Sequence, residues 1–97
     1  EIKTMAGFPW KPITTEEALG VNTGAASNVG SSRYVRLFNT AAVGTEHLVT
    51  LEESGGTDIG TFTLDGQQEA IIQKDPSDKL FAANAAVMAC GIAINSN

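Results

Sequence analysis

The chain of 97 residues holds one cysteine, Cys90, one histidine, His47, and no run of basic residues. A lone cysteine allows no disulfide within the chain, so a disulfide-braced scaffold is excluded. One Cys and one His also fall short of the ligand set of a Cys/His metal site. Six basic residues (Lys3, Lys11, Arg33, Arg36, Lys74 and Lys79) are scattered among eleven acidic ones, for a net charge of −5. Phosphate binding needs positive charge concentrated on one surface, so this balance argues against nucleic acid as a partner. The same acidity argues against an anionic membrane surface. The longest apolar stretch, Phe81–Ile94, contains Asn84 and is too short to cross a bilayer. Aromatics are limited to four Phe, one Trp and one Tyr, so the core must come largely from Val, Ile, Leu and Ala. A domain of this size buries only about 60–70% of the surface of its unfolded chain, and a partner subunit would add to its stability.

Chemistry-bearing patterns are equally sparse. Cys90 lies in the apolar run Val87–Ile94 and reads as a small buried hydrophobe, because a reactive thiol wants a positive, partly exposed setting. His47 has no nucleophile on a G-x-S-x-G turn to serve and reads as a residue at a strand edge. The carboxylate groups Asp75/Asp78 and Glu52/Glu53/Asp58 lack the spacing of a calcium loop. Gly20, Gly24 and Gly30 lack the Lys-Ser/Thr of a phosphate cradle. Paired carboxylates can cleave glycosides, but so few aromatics leave little for a sugar-stacking cleft. The expectation is a protein that is not an enzyme and carries no cofactor or metal.

What is present divides at residue 32. Residues 1–32 are rich in Gly, Thr, Ser and Asn and read as an extended N-terminal arm. Phe8, Trp10 and Ile13 are its large apolar anchors, and Pro9 and Pro12 favour an extended path around Trp10. Thr14 and Glu17 have capping-box spacing ahead of Gly20, which predicts a helical turn over 15–19. The stretch VNTGAASNVGSS carries too little apolar surface to order itself, so the leader reads as loose or as an arm for a neighbouring chain.

Residues 33–97 read as a β-domain of short runs between turn residues. Strands are predicted over 33–39, 47–53, 60–64, 69–74 and 86–94, with a turn at 74–78 and a helical turn near 82–86. In RYVRLFN, Val35 and Leu37 share one face, while Tyr34, Arg36 and Phe38 share the other. Both faces hold apolar groups, which suits a strand whose second face meets another subunit. Asp65-Gly66 sits between two alternating runs and predicts a hairpin of 60–64 with 69–74. An odd-length loop is favoured, because it sets Phe62 and Leu64 on one face with Ala70 and Ile72, and leaves Thr61, Thr63 and Glu69 outside. Together these features predict an all-β fold, a small antiparallel β-sandwich or barrel-like domain with an extended N-terminal arm.

The strand ending in Phe38-Asn39, the segment GTFTL with its acidic return strand, and Lys74-Asp75-Pro76-Ser77-Asp78 leading to a small-residue final strand share a pattern. In these features residues 33–94 resemble small virion structural proteins of tailed bacteriophages, particularly marine and cyanobacterial phages; the leader is outside the resemblance. The resemblance implies a β-sandwich cement or decoration protein on a capsid, made in the host cytoplasm and located in the virion. The resemblance implies as partners the major capsid protein and copies of itself, with a trimer as the closed symmetry the class suggests. A neck, tail or fibre component, or a lectin-like glycan-binding module, are the alternatives. Interfaces draw affinity from a few large anchors, and Phe8, Trp10, Ile13, Tyr34, Arg36 and Phe38 are the candidate partner-contacting residues.

Overall fold

The computed structural model describes residues 9–94. In chain order the elements are β1 (Trp10–Pro12), β2 (Glu17–Ala18), a 3-10 turn (Thr23–Ala25), β3 (Tyr34–Asn39), β4 (His47–Glu52), β5 (Asp58–Leu64), β6 (Glu69–Gln73), β7 (Lys79–Ala82) and β8 (Val87–Ile94). Every strand pairing is antiparallel. In the first sheet β8 pairs with β3 on one side and with both β1 and β2 on the other, and β3 continues to β6. In the second sheet β4 lies between β5 and β7. The expected all-β sandwich is the fold.

Alternation decides what goes inside. Val35 and Leu37 of β3, Val87 and Ala89 of β8, Val49 of β4, Leu64 of β5, and Leu80 and Ala82 of β7 form the buried core between the sheets. Leu51, Phe62, Ala70 and Ile72 pack against it, partly buried. Each fully buried Val or Leu contributes about 1.5–3 kcal/mol, so a core of small side chains suffices. Asn39, fully buried, donates through Nδ2 to the Leu64 carbonyl at 2.8 Å and the Thr45 carbonyl at 3.0 Å. Its Oδ1 accepts from the Ala41 N–H at 3.0 Å, so this buried amide is satisfied and ties the end of β3 to the end of β5.

The predicted hairpin does not form. β5 and β6 belong to different sheets, and residues 65–68 carry the chain from one to the other. The reason lies in the turn. A hairpin-matched type I′ turn needs positive φ at both central residues, yet here the left-handed position is Gln67, with φ of 63°. The Gln68 N–H bonds the Asp65 carbonyl at 3.2 Å, closing a turn that splays its strands. Gly66 is required for a different reason, since a β-carbon there would collide with the Ala42 carbonyl oxygen. The face assignment survives: Phe62, Leu64, Ala70 and Ile72 all turn toward the core, from opposing sheets.

Two helical expectations are also corrected. Residues 17–18 are β2, because the free edge of β8 offers backbone partners there. Thr14 caps no helix; its Oγ1 accepts from the Gly91 N–H at 2.8 Å. Near 82–86 the chain makes a turn in which Asn84 Oδ1 accepts from the Ala86 N–H at 2.8 Å, and residues 79–82 form the unforeseen β7.

Residues 9–32 run along the sandwich rather than lying loose. Leu19 donates its N–H to Val87 in the first sheet at 3.0 Å, and the next carbonyl, of Gly20, accepts from Ala82 in the second at 3.0 Å. Ser27 and Leu80 exchange backbone bonds of 3.0 and 2.8 Å. Leu19 and Val29 enter the core, 3% and 8% exposed. Val29, Gly30 and Ser31 follow with φ of 53°, 66° and 58°. A β-branched residue in that region is an outlier. It is held because Ser27 Oγ accepts from the Val29 N–H, Ser32 Oγ donates to the Val29 carbonyl at 2.6 Å, and Asn28 Oδ1 accepts from the Ser31 N–H.

Candidate interaction face

In an antiparallel ladder, directly opposed residues share a face. Val35 and Leu37 point to the core, so Tyr34, Arg36 and Phe38 occupy the outer face of the first sheet. Across β8 their partners are Ile92, Cys90 and Met88; across β6 they are Gln73, Ile71 and Glu69. One strand further, Trp10 lies opposite Ile94 and Pro12 opposite Ile92. Four of the six sequence-predicted contact residues, Trp10, Tyr34, Arg36 and Phe38, therefore come together on one surface. All four are half-buried. Ile13 lies in the link after β1, 53% exposed, with its N–H bonded to Gly91. Phe8 lies outside the described residues.

Arg36 sits at the centre of this face. Its Nε donates to Glu69 Oε2 at 2.7 Å and its Nη1 to Glu16 Oε2 at 3.1 Å. Its guanidinium carbon lies 5.1 Å from the centre of the Phe38 ring. Exposed ion pairs are worth about 0–1 kcal/mol each, and a cation–π contact at an exposed site about 0.5–1 kcal/mol. The value of the arrangement is geometric: it fixes a long side chain over an aromatic, and so preorganises the surface. Glu69 was legible as a neighbour once register was known. Glu16 carried no signal, because the leader was expected to form a helical turn there.

The same face has a buried under-layer. Ile92 is 2% and Cys90 6% exposed, although neither belongs to the core between the sheets. The Cys90 thiol donates to the Thr14 carbonyl at 3.2 Å and approaches its own chain neighbour's carbonyl, Gly91, at 3.4 Å. It is a small packed group, as its apolar run suggests. At the end of the sheet Pro9, Trp10, Lys11, Ala93 and Ile94 line a recess of about 410 Å³.

Elsewhere the groups able to do chemistry stand apart. His47 opens β4 opposite Leu64. Glu52, fully buried, accepts from the Thr23 hydroxyl at 2.8 Å. Lys74, 5% exposed, donates through Nζ to the carbonyls of Asp75 at 3.2 Å and Pro76 at 3.3 Å. Burial lowers its pKa, opposed by the nearby carboxylates of Asp78 and Asp75. Among the described residues no three His, Cys, Asp or Glu side chains converge to hold a metal ion, and no helix is long and apolar enough to cross a membrane. No protein-family model matches this chain, and no curated protein or solved structure is significantly similar to it.

Proposed function

We propose that the protein is a non-enzymatic structural component of a bacteriophage virion, a cement or decoration protein that binds the major capsid protein through the outer face of its first sheet. The observation that carries this reading is the gathering of Trp10, Tyr34, Arg36 and Phe38 on one preorganised surface. Aromatic residues and Arg are the side chains that most often dominate interface energetics. The strand-and-turn pattern by which residues 33–94 resemble small virion proteins suggests the partner. In this role each copy bridges adjacent capsomers, and its binding stabilises the closed shell by mass action.

The test is occupancy on shells assembled from the major capsid protein. Tyr34→Ala combined with Phe38→Ala removes two anchors from a partly exposed face and should lower occupancy at least tenfold, equivalent to about 1.4 kcal/mol, measured at a temperature where circular dichroism shows the variant still folded. Wild-type occupancy by the double variant would defeat the assignment. Copy number per particle then separates a shell position from a neck or tail position.

A further inference from the structure

A β-sheet edge exposes a row of unpaired backbone donors and acceptors, and natural sheets cover such edges or guard them with charge, proline or bulges. The two sheets here have four edges, and three are managed. On the β8 side the first sheet ends in β1 and β2, which are only three and two residues long and carry Lys11, Pro12 and Glu17. The edge of β7 is bridged by Ser27. The β6 edge begins with Glu69, tied to Arg36, and runs into Lys74 and Pro76.

The fourth edge is β5. Asp58 and the bulge at Ile59 guard only its start; residues 60–64, Gly-Thr-Phe-Thr-Leu, contain no charge and no proline, and among the described residues β4 is its one neighbour. The side on which each backbone group points follows from the ladder. The Leu48 carbonyl accepts from Ala83, so Leu48 and Thr50 direct their backbone groups toward β7. Val49 and Leu51 therefore face β5, where they meet Phe62 and Gly60. Thr61 and Thr63, in between, direct their N–H and C=O groups away from the sheet. The bulge that skips Ile59 restricts the regular edge to Gly60–Leu64.

We propose that this edge pairs with itself: two copies of the chain join their second sheets through antiparallel β5 strands related by a two-fold axis at Phe62. The segment Thr61-Phe62-Thr63 reads the same in both directions about that axis. Thr61 of one copy then exchanges two backbone hydrogen bonds with Thr63 of the other, and Gly60 meets Leu64. No charge is brought against its own image, and paired threonines are a favourable cross-strand combination. A strand of another protein would satisfy the same backbone groups, but the palindrome is matched by this chain's own copy. The inference does not depend on the virion reading, because it concerns the opposite sheet.

Sedimentation equilibrium across a concentration series tests it. Wild type should rise from the 10.1 kDa of one chain toward twice that mass. Thr63→Pro removes an outward-pointing donor and no bond to β4, so it should stay at the single-chain mass with an unchanged thermal transition. Thr61→Lys, which guards the edge with charge, should do the same if the proline variant misfolds. Register is read by mixing Thr61→Cys and Thr63→Cys chains, which should cross-link to each other several-fold faster than either does to itself; Cys90 is buried and does not compete. A wild-type chain that stays at single-chain mass throughout would overturn the proposal, as would folded edge variants that assemble like wild type or cross-links without preference. If the chain stays monomeric alone, yet Thr63→Pro loses its place in a larger assembly, the edge belongs to a foreign strand and self-pairing is again overturned.

Discussion

The two open sides of this sandwich are treated in opposite ways. On the side where the edges of β8 and β7 lie, residues 13–29 step from one sheet to the other. They place backbone bonds on both, through Leu19 to Val87 and Gly20 to Ala82, and sink Leu19 and Val29 into the core. On the side where β5 and β6 lie, the described residues contain no such cover, and the sheets are linked at one end by the Asp65–Gln68 turn, the Asn39 amide and the connection 40–46, which bonds to that turn through Gly44 and Gln67. A covered side resists further pairing and stabilises the fold. An uncovered one leaves backbone groups for association. If β5 pairs with its own copy as proposed, stability and association fall to different edges of one small domain.

The comparison breaks first if the leader is dispensable. Leu19→Ala should cost about 2–5 kcal/mol, as core leucine truncations do, because the side chain is 3% exposed and part of the central cluster. Its counterpart on the open side, Ile59→Ala, should cost under about 0.5 kcal/mol, because Ile59 is 51% exposed. Chemical denaturation of both variants measures the contrast. Equal losses would mean that the leader is no more integral than the open edge.

A smaller change of opposite sign sharpens the same contrast. Ser31 holds φ of 58° and is exposed, a conformation that glycine adopts without penalty and that costs other residues roughly 1–2 kcal/mol. Ser31→Gly should therefore raise stability by up to about 1 kcal/mol after the added entropy of the unfolded chain is subtracted. A loss of stability instead would show that the left-handed turn is not strained at Ser31, and that the leader rests on its side-chain bonds alone.

How far these features could be read from the sequence follows from the length over which each signal runs. β3, β4, β5, β6 and β8 each carry five or more residues of alternation or continuous apolar character, and were predicted within two residues at each end. β1, β2 and β7 have three, two and four residues, too short for a period to register, and what makes them strands is a distant edge. The Asp65-Gly66 signal was real but local. Which sheet each flanking strand joins depends on β3 and β4, and the close approach of Ala42 is invisible to a turn rule. For the interaction face, alternation in β3 placed Tyr34, Arg36 and Phe38 together. Trp10 joined them through pairing with Ile94, more than eighty residues away in sequence, and Glu16 through a leader path that no local pattern encodes.

The smallest expected effect lies on the open side, in Lys74 at the end of β6. The residue is buried, its ammonium is bonded to two carbonyls, and burial lowers its pKa below the ordinary 10.5 despite Asp78 and Asp75. At neutral pH the folded and unfolded chains are both protonated, so the full cost of burying the charge is present. As pH rises through the lowered folded value toward 10.5, the unfolded chain binds a proton that the folded one has released, and stability from this group increases. Lys74→Met removes the titration. The stability of the Met variant relative to wild type should therefore fall as pH rises through that window, measured by denaturation at a series of alkaline pH values. A difference that stays flat would mean that the turn after β6 opens enough to keep the ammonium hydrated.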